Sequence, residues 1–395
     1  MRRVLLVSHR SLDQAGGPAA RWRSLARYLP EQGWEVDVLS APVRASAVEF
    51  SSSHADQRRA AARARVMAVV GRASAPAFGL LGIRPEAVPL STAWVPRARA
   101  ELLSRVREHR PDVVLATGPP MAALLASGLA VRNGFPPLVV ELRDLWAGNP
   151  AFDRRGGLLG RLEAWVFARA AAVVATTPEA VADLRERHPC LATRIHEIPN
   201  GFEPALLERA PPARAAGRPL EILHSGTLTA DRPLQPLLAA LARKPSAFRL
   251  VVHGYLAPEI RRQVAEFEGI VQVEVVPPSS WDEAVTRIAA ADAALVTQGR
   301  GAGDATAVAA KVYEYLALGR PVLAITDGGA TEALLHRLGA DGLAARLSDE
   351  RSIERALERL AAGDVPEPVP AERLAPYDRR EIARRTAALL DEVAS

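Results

Sequence analysis

The stretch AVAAKVYEYLALGRPVLAIT, residues 307–326, reads as a helix handing over to a buried strand. Gly319 stops the helix, because glycine takes the left-handed conformation at a helix end without a steric cost. PVLAIT (321–326) follows as an apolar run of strand length. Near the start of the helix, Lys311, Glu314 and Tyr315 fall on adjacent positions of one face. Lys311 is one of two lysines in the chain, with Lys244, and arginine supplies nearly all the remaining positive charge. A glycine-rich loop, GRGAGDATA (299–307), precedes it. An ammonium beside a helix start makes a site for phosphate. A carboxylate one turn later can accept two hydrogen bonds from a sugar diol. The alternative is a surface ion pair between Lys311 and Glu314, worth a few tenths of a kcal/mol, on the order of 0.3.

Outward from this unit the same alternation recurs. LEILHSGT (220–227), FRLVVHGY (248–255), VQVEVVP (271–277) and AALVTQ (293–298) read as further strands, with helical stretches such as SSWDEAVTRIAAA (279–291) between them. The first half repeats the scheme in RVLLVSH (3–9), EVDVLSA (35–41), DVVLAT (112–117), PLVVELRD (137–144) and AAVVATT (171–177). Continuous apolar strands separated by helices imply parallel sheets covered on both faces. The fold class is therefore α/β: two doubly wound Rossmann-like domains facing across a cleft, with ligands at the carboxyl ends of the strands. The expected division is 1–205 for the first domain, 206–378 for the second, and 379–395 as a helix packing back toward the first. ERAPPARAAGRP (208–219) reads as the linker. Residues 45–100 break the rhythm, and QRRAAARARVMAVVGR (57–72) suggests an irregular helical insert.

At 395 residues the chain is long enough for two cores. Its 49% hydrophobic and 24% charged residues are ordinary for a globular protein. A net charge of +5 tolerates an anionic substrate or an acidic membrane surface and demands neither. Cys190 is the single cysteine, which excludes an internal disulfide framework and fits a reducing compartment. MRRVLLVSHR lacks the apolar core and cleavage site of a signal peptide. No run approaches the roughly eighteen uncharged apolar residues of a membrane span. A cytoplasmic protein is the expectation.

Other strand ends carry candidate chemistry. DQAGGPAARW (13–22) places Gly16 and Gly17 where a strand hands over to a helix, which lets backbone approach an anion. Neither a dinucleotide fingerprint nor a P-loop is present. ELRDLWAGNP (141–150) sets Arg143, Asp144 and Trp146 together, as a shaped pocket or as a rim ion pair with the tryptophan beneath. Gly226 and Thr227 follow the strand that opens the second half, with Arg232 in reach. His253 and Tyr255 end the next strand, where they could flank a nucleoside, although His224 and His253 read equally well as satisfied structural groups.

With these residues in hand, KVYEYLALGRPV resembles the K-x-x-E-Y-[LM]-A-x-G-x-P-V helix of retaining GT-B glycosyltransferases of family four. EIPNGFEP (197–204) is similar to their I-P-N-G-V-D turn, ELRDLW to D-x-R-D-L-W, and SGTL with Arg232 to the first strand and basic loop of their second domain. Gly16–Gly17 and SSWDEAVTRIAAADAALV (279–296) match in order as well. The resemblance implies transfer of a sugar, with retention, from a nucleotide-diphosphate donor to a hydroxyl acceptor. UDP linked to a hexose or N-acetylhexosamine is the expected donor. Lys311 and Arg232 would neutralise the diphosphate, Glu314 would bind the ribose, and Gly226 and Thr227 would admit the phosphates. Gly17 would close on the donor from the other domain. No metal and no cofactor is implied. Thr306 stands where relatives often carry a glutamate facing the transferred sugar, with Asp304 the nearest acid, and Arg143 stands where many carry histidine. Arg143 is thereby expected near the donor sugar or the acceptor, and Lys311, Arg232, Asp144 and Arg143 are the expected catalytic residues.

The acceptor is expected to be lipid-linked, a polysaccharide or a small natural product. A peripheral contact at the inner membrane face is an option that the basic insert leaves open, and nucleic acid is not expected as a partner. Two alternatives share the architecture: a nucleotide-sugar epimerase and a non-catalytic sugar-nucleotide-binding protein.

Overall fold

The computed structural model describes residues 1–12, 17–41, 94–147, 157–209, 217–230, 232–299 and 305–395. Asp304, Gly16 and the expected helical insert at 57–72 lie outside them. Two compact units result: Met1–Pro199 with Ile382–Ser395, and Asn200–Glu381. The division thus falls at Pro199, a few residues ahead of the expected 205, and the last helix (Arg379–Ala394) enters the first unit from Ile382 on.

The first unit holds a six-stranded parallel sheet: β1 (Arg2–Ser8), β2 (Trp34–Ser40), β3 (Val113–Gly118), β4 (Leu138–Leu142), β5 (Ala172–Ala175) and β6 (Ile195–Glu197), in the order β2-β1-β3-β4-β5-β6. Alternation along the strands fills two cores. Leu5, Val7, Val114, Ala116 and Val140 pack on one face with the helix Ala122–Ala130. Val4, Leu6, Leu115 and Val139 pack on the other with Trp22, Leu25 and, from the final helix, Ile382 and Leu390.

The second unit is built from β7 (Leu220–Ser225), β8 (Phe248–His253), β9 (Gln272–Val276), β10 (Ala293–Thr297), β11 (Val322–Thr326) and β12 (Ala344–Arg346), in the order β12-β11-β10-β7-β8-β9. Leu223, Val251, Val296 and Ala324 line one face; Ile222, Leu250, Leu295 and Leu323 line the other. Truncating such a buried leucine to alanine typically costs about 2–5 kcal/mol.

Both sheets reverse strand order beside their first strand, at β1/β3 and at β7/β10. Neighbouring strands there send their connections to opposite faces, which opens a crevice at their carboxyl ends. The β7–β10 ladder stops early, with Ile222 opposite Ala293 and Leu223 opposite Ala294. Beyond that pair the backbone pairing of β7 with β10 ends, and His224 reaches the Leu295 carbonyl through its side chain.

Candidate functional site

At the end of β7 the backbone turns through Gly226, whose φ of +121° strains any residue with a side chain. Its N–H donates to the His253 carbonyl at 2.8 Å, extending the β7–β8 ladder one residue past the strands. Gly254, with φ +150°, lies so close to the Gly226 carbonyl that a Cβ there would collide with it. These two glycines bring two bare stretches of backbone together at the sheet edge.

Above Gly226 stands Lys311. A Cβ on Gly226 would lie 2.5 Å from Lys311 Nζ, so the missing side chain is the space the ammonium occupies. Lys311 opens the helix Lys311–Ala317 and donates to the Ser225 carbonyl; its Nζ is also 3.3 Å from His224 Nε2. Tyr315, one turn on and fully buried, accepts a hydrogen bond from the Ser225 N–H at 3.1 Å. Lys311 and Tyr315 therefore hold the two successive peptide groups that flank the Ser225 Cα at the end of β7. With seven residues, the helix is too short for its dipole to matter much, so affinity for an anion rests on the side chain.

Among the described residues, Lys311 is a buried cation whose charge is offset only in part. Burial lowers the Lys311 pKa to about 7, and the Arg232 charge adds to this, against a partial offset from Glu314. His224 is driven well below its ordinary value, first by burial and then by the Lys311 charge, outweighing its backbone hydrogen bonds. Arg232 is half-buried, and its Nε is buried with no hydrogen-bond partner. An anion bound here would relieve all three groups at once.

Glu314 takes other partners. Its Oε1 is 3.5 Å from the indole N–H of Trp281, a tryptophan 42% exposed. Burial raises the Glu314 pKa, opposed first by the charge of Arg379. Arg379 in turn pairs with Glu203 at 2.7 Å. The surface ion pair with Lys311, considered as the alternative from sequence, is not what forms: one side chain turns to the end of β7, the other to the helix Trp281–Ala290.

His253 and Tyr255 diverge. His253 is buried, its Nε2 2.9 Å from Ser279 Oγ. Tyr255 is exposed, with the Arg261 guanidinium 5.7 Å from its ring centre. Thr227 is half-buried beside Gly226, and Thr306 is half-buried ahead of the Lys311 helix.

The first unit gathers a different set at its sheet ends. Arg21 and Glu141, 5% and 2% exposed, form an ion pair at 2.8 Å. Thr117 donates to the same carboxylate at 2.9 Å, and Arg21 also donates to the Ile198 carbonyl at 3.1 Å and to that of Pro199. Arg143, 8% exposed, donates to the Pro119 carbonyl, while its own carbonyl accepts from Thr176 at 3.1 Å. Its Nε is buried without a partner. Burial lowers the Arg143 pKa to about 10, with Glu141 and Asp144 pulling the other way. Asp144 is half-buried, and Trp146 is packed into the core. Gly17 starts the helix that follows β1. A further carboxylate, Glu163, fully buried, accepts from the Ala147 N–H at 2.9 Å and from His188 Nε2 at 2.8 Å, and so fixes the turn that carries Arg143 and Asp144.

The sequence reading missed Arg21, Glu141, Glu163, Trp281, Arg379 and Glu203. Only Glu203 carried a usable signal, its place just behind the PNG turn. The others meet partners far along the chain, as Arg21 meets Glu141 across 120 positions.

Comparison with known proteins bears on both units. Residues 16–201 match the family model described as Glycosyl transferase 4-like domain. A crystal structure of a glycosyltransferase from Rickettsia africae superposes with a TM-score of 0.68 at 12% identity, covering 99% of this chain and 98% of that one. HepE from Anabaena, crystallised with UDP, aligns at a TM-score of 0.65 and 16% identity, covering 99% of this chain and 100% of its own. The lipopolysaccharide outer core galactosyltransferase WaaB aligns at 0.63 and 12%, covering 99% of each chain. No protein of curated function matches the sequence. The fold is accordingly GT-B, two parallel-sheet α/β units.

Proposed function

We propose that the protein is a retaining glycosyltransferase that moves a sugar from a nucleotide diphosphate, UDP by preference, to a hydroxyl acceptor. A hexose or N-acetylhexosamine is the sugar class intended. The observation that carries this reading is Lys311 Nζ seated over the side-chain-free Gly226 at the topological switch point of the second sheet. Its contacts there, among the described residues, are a carbonyl and an imidazole, and Glu314 offsets its charge only in part.

In this account Lys311 and Arg232 receive the diphosphate, and the bare backbone at Gly226 lets it approach. Glu314 accepts hydrogen bonds from the ribose hydroxyls, with Trp281 fixing its orientation. In the transfer step the bond from the anomeric carbon to the phosphate oxygen breaks, and the acceptor oxygen bonds to the same face of that carbon. The acceptor proton passes to the departing diphosphate. Lys311 and Arg232 stabilise the charge that develops on the leaving group, the role a metal ion plays in other transferases. Arg143 and Asp144 belong to the acceptor side of the reaction, held by the first unit.

The binding of UDP by HepE, crystallised with UDP and also with UDP and glucose, supports the choice of nucleotide. The test is incubation of the protein with a panel of nucleotide sugars, reading release of free nucleotide, with and without chelator. UDP release that survives chelation and falls about a hundredfold in Lys311→Ala is expected. A protein that binds UDP-sugars without ever releasing UDP is a sensor, and near-normal turnover in Lys311→Ala removes the lysine from the chemistry.

A further inference from the structure

We propose that His224 is a positioning residue for Lys311: its unprotonated Nε2 accepts a hydrogen bond from Nζ and holds the ammonium over Gly226, where the diphosphate is to bind. This deepens the preceding reading and rests on it.

The geometry starts where the β7–β10 ladder ends. His224 is the first residue of β7 past the last pair, and its side chain points to β10, with Nδ1 3.1 Å from the Leu295 carbonyl. A carbonyl can only accept, so Nδ1 carries the proton and Nε2 is left with a lone pair. That lone pair faces Lys311 Nζ at 3.3 Å. The imidazole is 1% exposed, and the Thr227 backbone is a further hydrogen-bond partner of the ring. Were the ring protonated, two cations would stand at hydrogen-bond distance with Arg232 nearby; burial and those charges keep it neutral. Among the described residues, the charged and titratable groups around Lys311 are His224 at the end of β7, Arg232 on the following loop, and Glu314 and Tyr315 on its own helix. Glu314 is in turn governed by Arg379 and Glu203. Among these, His224 and the Ser225 carbonyl are the acceptors that touch Nζ. Two of the three ammonium donors of a flexible four-carbon side chain are thus held before any ligand arrives, which reduces the entropy lost on binding.

Two lysines in the whole chain make this directly observable. With lysine labelled at the ε-carbon, the intact protein gives two resonances, and Lys244→Arg identifies the one from Lys311. Its titration midpoint in the ligand-free protein is expected near 7, where the buried ammonium is placed. His224→Leu, which fills the space without offering an acceptor, should move that midpoint about one pH unit lower, the shift produced by losing a hydrogen bond to a charged group. His224→Gln, whose side-chain oxygen can take the place of Nε2, should restore it. UDP titrations on the same samples should show weaker binding in His224→Leu and recovery in His224→Gln. An unchanged Lys311 midpoint in a folded His224→Leu protein overturns the proposal, as does a His224→Gln midpoint matching that of His224→Leu. If the midpoints move as expected while UDP fails to bind even the unaltered protein, the positioning of Lys311 stands and the donor assignment falls.

Discussion

The two sheets end in the same way and use their charges in opposite ways. At the switch point of the first, Arg21, Glu141 and Thr117 satisfy one another in a nearly sealed cluster. At the switch point of the second, Lys311 leans on a carbonyl and a neutral imidazole, and Arg232 keeps an unpartnered Nε. The first arrangement is complete without a ligand. Among the described residues the second holds buried cations that Glu314 offsets only in part, and in the proposed function an incoming diphosphate completes the balance. One topology, repeated, thus yields a scaffold in one place and a receptor in the other; only the local balance of charge separates them.

Breaking the first cluster should give the largest effect, and it should be an effect on folding. Glu141→Ala leaves the Arg21 guanidinium buried without its carboxylate, a loss of about 3–5 kcal/mol of stability. Urea denaturation measures it. UDP affinity of the folded fraction should be unaltered, and a matching drop in affinity would erase the contrast drawn here. At the second sheet the sign reverses. Gly226→Ala introduces a Cβ at the seat of Nζ and a side chain at φ +121°. Strain of this kind costs on the order of 1–3 kcal/mol, and UDP affinity should fall about tenfold as Lys311 is displaced. Calorimetry that finds normal affinity in this variant would place the phosphate site elsewhere.

A smaller change sharpens the assignment within the second site. Glu314→Gln removes the charge offered to the ribose and leaves the phosphate contacts in place. UDP should bind about threefold to tenfold more weakly, on the scale of a charge-assisted hydrogen bond reduced to a neutral one. Inorganic pyrophosphate should bind as before. Equal weakening of both ligands would show that Glu314 acts through Lys311 and does not touch the sugar.

Much of the fold was legible because burial on both faces of a parallel sheet writes itself as continuous apolar runs. LEILHS and AALVT need no context to read as strands. The three-residue β12, AAR, carries no such run, and its pairing with β11 is set by a neighbour that the sequence does not point to. The site was legible where chemistry is local. Gly226 shows itself as a glycine at a strand end, and Lys311 as a rare lysine at a helix start. Its partners were not legible, since Ser225 lies 86 positions away and is reached only once β7 and β10 are neighbours. Spacing along a helix left a Lys311–Glu314 ion pair open as the alternative reading, and the tertiary structure gives the two side chains separate hydrogen-bond partners. His253 shows the converse: a strand-end histidine beside a glycine looks available from sequence, yet the turn into Ser279 encloses it.

The central claim, that Lys311 over Gly226 is the seat of a nucleotide diphosphate, is tested most directly by a crystal structure of the protein grown with UDP. The diphosphate should lie within hydrogen-bond distance of Lys311 Nζ and the Arg232 guanidinium, against the Gly226 backbone, with the ribose hydroxyls on Glu314. UDP ordered at another position, with Lys311 still resting on Ser225 and His224, would contradict it.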